Sequence, residues 1–450
     1  MTWPTAAAIA ARRLSPTEAV RAALDRIARH NGALGAFTDV LAERALARAA
    51  AAPTGPLAGV PFAVKNLFDV AGLPTRAGSA INRTRVSAAA DAPLIRRLEA
   101  AGAILVGCLN MGEYAYDFTG ENSHDGPSRN PHDTARMTGG SSGGSGAAVA
   151  GGLVPLALGS DTNGSIRVPA SLCGIWGLKP TFGRLTRRGT FPFVSSLDHL
   201  GPLARCVLDL ALSYDAMQGP DPADPACADR DPEPAVPTLE TGVGGLRIAI
   251  AGGYFLRGAF PEALMALRTV ATALGATREI ELPGAARARA AAYVITATEG
   301  AALHLDRLRI QPGAFDPAVR DRLLAGALVP AALVTQAQKL RRQYRQNVLA
   351  LFEEVDVILA PATPCSAPLI GQQSFELDGR TLPVRANLGI FTQPISFIGL
   401  PVVAAPVAGA GMPVGVQVIA APWREDRALR VARALERDGV CVAREPKGWD

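Results

Sequence analysis

The sequence predicts an α/β fold. Three observations carry that prediction: helical stripes alternate with apolar runs of strand length, 48% of the 450 residues are hydrophobic, and the glycine-rich stretches fall at junctions between such segments. Ser15-Pro16-Thr17-Glu18 is a capping box with proline at the first helical position, and Val20, Leu24 and Ile27 follow at helical spacing. An N-terminal amphipathic helix is expected there. After a Pro/Gly-rich break, Val60 to Val64 reads as a short buried strand that delivers Lys65 at its end. Leu94, Ile95 and Leu98 form a helical stripe, and Ala103-Ile104-Leu105-Val106 follows Gly102 as the next strand. From Ala147 to Leu158 the pattern is again apolar helix, glycine break and short strand. Residues 219–237, with repeated Asp-Pro steps, sustain neither helix nor strand and are expected to form a linker or long surface loop. A strand begins at Leu246–Ile250, and residues 286–352 are expected to be largely helical. The charges from Lys339 to Arg345 read as a solvated helix face. Strands at Val357–Leu359 and Val414–Ile419 and a helix at Glu425–Arg437 return the chain to α/β.

Composition excludes several functions. A net charge of +5, spread along the chain without a basic stripe, argues against a nucleic-acid surface and for a small substrate. The six cysteines are far apart with no C-x-x-C pair, so reduced core thiols are expected rather than a zinc ribbon or a disulfide framework. Residues 1–13 lack the basic n-region and long apolar h-region of a signal peptide, and cytoplasmic residence is expected. The uncharged stretch from Thr138 to Ser160 is dominated by Gly and Ser and broken by Pro155, which makes it a poor membrane span.

Candidate chemistry centres on Lys65, Ser141 and Ser165. The chain has four lysines among 45 basic residues, so arginine serves where any cation suffices. A lysine ending an apolar strand is a candidate for what guanidinium cannot do, which is to give up its proton. The alternative is a snorkelling or ion-paired lysine. Around Ser141, the run Gly139 to Gly146 fails as a phosphate loop because Ser145 stands where lysine is required. Gly140-Ser141-Ser142-Gly143-Gly144 imitates a nucleophile elbow, yet neither His199 nor His304 lies in a segment like that of a triad histidine. Around Ser165, the backbone of Thr162, Asn163 and Gly164 is suited to present N–H groups to one point, as an oxyanion hole requires. A helix N-cap is the alternative for Ser165 alone.

Gly59 to Lys65, Gly139 to Gly146, Gly159 to Ala170, Gly174 to Thr181, Gly399-Leu400-Pro401 and Met412 to Gln417 together resemble the amidase signature family. The resemblance implies one domain over 1–450 with a central twisted mixed β-sheet covered by helices on both faces. Within it lie an N-terminal helical segment over about 1–55, a signature core over about 56–215, and an α/β portion over 238–450. It implies Ser165 as acylated nucleophile, Ser141 as bridging serine with a cis peptide bond, Lys65 as terminal base, and no metal or organic cofactor. Asn163 departs from the glycine most relatives carry, and reads equally as a contact for a ureido group or as a turn residue. Lys65–Asp69, Arg188–Phe193, Ser196–Pro202 and Ile419–Arg424 are similar to family members that hydrolyse carboxybiuret with ammonia release in cyanuric acid degradation. That likeness implies a small-molecule amide substrate and a small accessory subunit in a hetero-oligomer. The alternatives are an amidase of other small-molecule specificity and the glutaminase subunit of an aminoacyl-tRNA amidotransferase, whose Met-Asp-Glu-Phe-Ala-Met-Gly stretch is altered here at Met111–Asp117. Arg309 and His304 are candidates for the substrate carboxylate and ureido oxygens, against plain readings as surface charge and core histidine.

Overall fold

The computed structural model describes Ala6, Ile9 and residues 14–409 and 411–449. Apart from Ala6 and Ile9, the N-terminal stretch read for a signal peptide lies outside the described residues. Helix α1 (Pro16–Leu34) begins at the capping box, with Glu18 N donating to Ser15 Oγ at 3.2 Å and Ser15 N to Glu18 Oε2 at 2.8 Å. Among the described residues eleven strands form one mixed sheet. In chain order they are β1 (Phe37–Val40), β2 (Pro61–Lys65), β3 (Ile104–Leu109), β4 (Leu156–Asp161), β5 (Trp176–Lys179), β6 (His199–Ala204), β7 (Ile248–Ala251), β8 (Arg278–Ile280), β9 (Val357–Pro361), β10 (Val402–Pro406) and β11 (Gly415–Ala420). Their spatial order is β1-β3-β2-β4-β6-β5-β10-β11-β9-β7-β8.

Every residue of β2, β3, β4, β6 and β11 is buried, which requires cover on both faces. The two-residue period of the strands sorts their side chains accordingly. Phe62, Leu105, Leu156 and Leu158 pack with Leu94, Leu98, Val207 and Leu429. Ala63, Ile104, Val106 and Ala157 pack with Val20 and Ile27 of α1 and with helix α2 (Gly143–Ala150). Helix α3 (Arg167–Cys173) follows β4. The stretch 286–352 resolves into α4 (Ala285–Ile310), α5 (Pro317–Ala327) and α6 (Ala331–Leu351), interrupted at Pro312 and Pro330, where a missing N–H cannot continue a helix. Helix α7 (Glu425–Arg437) matches its expected bounds.

All six cysteines are free, but Cys206 and Cys227 are only half-buried, so the expectation of core thiols holds for the other four. Residues 219–237 form an irregular loop ending in a short 3-10 turn at Val236–Thr238. It is pinned rather than free: Arg188 Nε donates to Asp221 Oδ2 at 2.8 Å, Arg187 N to Asp224 Oδ2 at 2.7 Å and Arg184 Nη2 to Glu233 Oε2 at 2.7 Å. Among the described residues no single helix is long and apolar enough to cross a membrane.

Candidate active site

Strand β2 lies between β3 and β4 and runs parallel to both, so the carboxyl ends of β2 and β4 open on the same edge of the sheet. Ligands collect outside such strand ends. Lys65 is the last residue of β2, and the turn carrying Ser165 leaves β4 directly.

Lys65 is fully buried. Its Nζ lies 2.7 Å from Ser141 Oγ and 2.8 Å from Ser160 Oγ, with no carboxylate in contact among the described residues. Burial pushes its pKa down to about 7, against the opposing pull of Asp161, Asp198 and Asp117 at longer range. A snorkelling or ion-paired lysine is thereby excluded. The Gly140–Ser141 peptide bond is cis, as the resemblance implies. A Cβ on Gly140 would meet Gly120 N at 2.7 Å and Asp117 Oδ2 closer still. The serine loop therefore passes where only glycine fits.

The turn at Ser165 is held from every side. Asp161, at its start, receives Arg167 Nε at 2.9 Å and Arg167 Nη2 at 3.0 Å, and Ser396 Oγ donates to it at 3.0 Å. Arg167 Nη1 also reaches Gln417 Oε1 at 2.6 Å. Burial works to raise the Asp161 carboxyl, but the charge and hydrogen bonds of Arg167 hold it well below the ordinary carboxylate range. Within the turn, Thr162 Oγ1 donates to Asp198 Oδ1 at 2.6 Å, Thr392 Oγ1 to the Asn163 carbonyl at 2.7 Å, and Ser142 N to the Ser165 carbonyl at 3.3 Å. Gly164 has φ +143°, and a Cβ there would collide with Thr392. Among the described residues the backbone N–H groups of Thr162, Asn163 and Gly164 donate to no protein acceptor. Three free amide donors in a fixed turn beside a serine are suited to stabilise a developing oxyanion.

Ser165 lines a space shared with Thr162, Asn163, Tyr116, Phe118, Phe193, Tyr293, Thr296, Arg322 and Gln393. Its volume is about 10 Å³. Arg322, on α5, donates from Nη1 to the Tyr116 carbonyl at 2.7 Å and sits 3.5 Å from the Tyr116 ring centroid. It has no carboxylate partner among the described residues.

Neither Arg309 nor His304 lines this space. Arg309 is exposed and faces Asp306 across 3.7 Å at the end of α4. His304 is buried against Tyr114, Phe191 and Phe315, and burial takes its pKa down to about 3. Five residues along a helix turn a side chain by about 140°, so an inward His304 sends Arg309 outward. Sequence reasoning missed Ser160, Asp198, Thr296, Arg322 and Thr392. Arg322 had a local signal, since it stands three residues after Val319 and next to Leu323, both on the buried face of α5. Ser160 and Asp198 lie inside stretches already singled out, Gly159 to Ala170 and Ser196–Pro202, but carried no sign of their contacts, and Thr296 and Thr392 come from distant segments and left no signal.

The charged run on α6 proves less simply solvated than expected. Lys339, Arg341, Arg342 and Arg345 border a separate cavity of about 690 Å³ with Phe182 and Trp423, and Arg341 donates to the Phe397 and Ser196 carbonyls at 2.7 Å. None of Lys65, Ser141 or Ser165 touches that cavity. Among the described residues no three His, Cys, Asp or Glu side chains cluster as metal ligands.

Residues 18–429 match the family model described as Amidase. The chain is 56% identical over 443 residues to AtzE, a 1-carboxybiuret hydrolase subunit of Pseudomonas sp. strain ADP, covering 96% of this chain and 97% of that protein. It is 39% identical over 479 residues to a glutamyl-tRNA(Gln) amidotransferase subunit of Azotobacter vinelandii strain DJ, covering 98% of both. A solved structure described as an unexpected vestigial protein complex revealing the evolutionary origins of an s-triazine catabolic enzyme superposes with a TM-score of 0.96 at 55% identity, over 97% of this chain and 98% of that one. The model match and these full-length relatives agree with the motifs around Lys65, Ser141 and Ser165, and the chain belongs to the amidase family of amide-cleaving hydrolases.

Proposed function

We propose that this amidase hydrolyses the terminal amide of carboxybiuret through an acyl-enzyme on Ser165. Neutral Lys65 accepts the Ser141 proton, Ser141 accepts the Ser165 proton, and Ser165 Oγ bonds to the substrate carbonyl carbon while the N–H groups of Thr162, Asn163 and Gly164 hold its oxygen. The C–N bond then breaks, and the proton returns through Ser141 to the leaving nitrogen, which departs as ammonia. Water repeats the sequence on the ester and frees a carboxylic acid. The single observation that carries this reading is a fully buried lysine at 2.7 Å from a serine hydroxyl, with a pKa lowered to about 7.

The substrate assignment draws on the 56% identity to a protein named as part of a 1-carboxybiuret hydrolase. It also draws on Arg322, a guanidinium in the same space as Ser165 with its ion-pairing capacity unused. A small accessory subunit belongs to this reading, because the solved relative is described as a complex and the hydrolase relative is named as one subunit of its enzyme.

Intact-mass analysis after fluorophosphonate treatment tests the nucleophile. One adduct on Ser165 is expected in the wild type and none in Ser165→Ala or Lys65→Arg; an adduct on another serine sinks the assignment. Ammonia release from carboxybiuret and from glutamine, compared side by side, tests the substrate, and efficient glutamine hydrolysis would favour the amidotransferase reading.

A further inference from the structure

Resting on the reading of Ser165 as nucleophile, we propose that the side-chain carbonyl of Asn163 accepts a hydrogen bond from the ureido N–H next to the scissile carbonyl, and so selects ureido-type amides over alkyl amides. Asn163 is 7% exposed. Its Nδ2 donates to Thr296 Oγ1 at 2.9 Å, and Thr296 is itself buried on α4. That contact commits one of the two N–H donors of the amide to the protein. The acceptor end, Oδ1, is buried and has no hydrogen-bond partner among the described residues. The backbone of the same residue is fixed independently, by Thr392 on its carbonyl. An Asn anchored through both its backbone and one side-chain N–H, and left with one empty acceptor, is oriented for a donor that arrives with the substrate.

Placement narrows that donor. Asn163 stands two residues before Ser165 and lines the same space, and in the proposed binding mode Oδ1 meets the acyl side of the amide. In a biuret-type acyl group, the atom adjoining the attacked carbon is an N–H. In an alkyl amide it is a CH2, which leaves Oδ1 unpaired. A site built to receive a substrate N–H discriminates against the analogue lacking it by as much as about 10⁴- to 10⁵-fold, because its own polar group is stranded. The oxyanion hole offers only donors and cannot make this distinction.

Biuret and malonamide differ by one NH-to-CH2 exchange and neither carries a carboxylate, so their comparison is independent of Arg322. The expected result is a kcat/KM preference of the wild type for biuret of roughly 100-fold or more, reduced at least tenfold in Asn163→Ala. Thr296→Val, which frees the amide to rotate, moves the ratio in the same direction by less. A purely structural Asn163 would lower both substrates in proportion, and an unchanged ratio in the variants overturns the proposal. So does a wild type that hydrolyses both equally well, or neither while still forming the Ser165 adduct. If Asn163→Ala fails to fold, Thr296→Val alone decides. Absence of the fluorophosphonate adduct from wild-type Ser165 would instead condemn the underlying nucleophile assignment.

Discussion

Lys65 is held by two hydroxyls where a lysine ordinarily finds water or a carboxylate, and its acid–base behaviour follows from that. Burial lowers its pKa from 10.5 to about 7, so between those values the folded chain holds one proton fewer at this site than the unfolded chain. The contribution of Lys65 to stability therefore rises with pH from about 7 to about 10.5, and below 7 folding must bury a cation. With Lys65 as the proposed base, activity is expected to follow the same titration. Log kcat/KM is expected to climb with unit slope below about pH 7 and level off above it, and a profile flat from about pH 5.5 to 8.5 would rule out Lys65 as the base. Arg322 makes a separate prediction. Arg322→Ala should raise KM for a carboxylated substrate by roughly 10- to 100-fold, the worth of a charge-assisted hydrogen bond, with much less effect on an uncharged amide. Steady-state assays on such a pair read it directly. Only one of these two residues was picked out from the sequence. Lys65 stood out because lysine is scarce and this one ends an apolar strand. Arg322 was hidden among many arginines, and the choice of Arg309 failed because helical phase, not proximity in sequence to His304, decides which arginine points inward.

At the scale of elements, local rules were readable and long-range ones were not. The capping box at Ser15, the glycine break before β4 and the bounds of α7 follow from backbone preferences that adjacent residues reveal. The turn at Ser165 depends instead on Thr392, Asp198 and Ser142, which reach it from three other segments. Nothing in residues 162–165 encodes those partners. One position in the turn is nonetheless absolute. Gly164 combines φ +143° with a path closed by Thr392, so Gly164→Ala must shift the backbone N–H groups proposed to hold the oxyanion. A fall in kcat of about 100- to 1000-fold is expected, matching the loss of one oxyanion donor, with the thermal midpoint as the control for folding. A variant that keeps wild-type kcat would mean that this turn does not hold the oxyanion.

Across the whole molecule, one eleven-stranded sheet links segments that the sequence presents as separate α/β stretches on either side of residues 219–237. Alternation of helix and strand foretold the class of fold, but not that β10 from the C-terminal half would pair with β5 from the N-terminal half, with β11 on its other side. Strand order is set by side-chain fit between distant segments, which periodicity does not record. Residues 219–237 looked like a linker because Asp-Pro steps break both helix and strand. Their aspartates turn out to clasp Arg187 and Arg188, a pairing legible only once the chain is folded.

The space at Ser165 is about 10 Å³, room for about one water. We expect entry of an amide to call for movement of lining side chains such as Tyr116, Phe193, Tyr293 or Arg322, and the frequency of that movement to limit how fast a molecule reaches the serine. Stopped-flow labelling with a fluorophosphonate should then show a rate that saturates as reagent concentration rises, at a plateau equal to the opening rate. A strictly linear dependence would mean that the doorway stands open in solution. With a plateau, traffic through the door and not bond cleavage would govern turnover for the best substrates, and widening mutations at Tyr116 or Tyr293 would speed the enzyme while making it less discriminating.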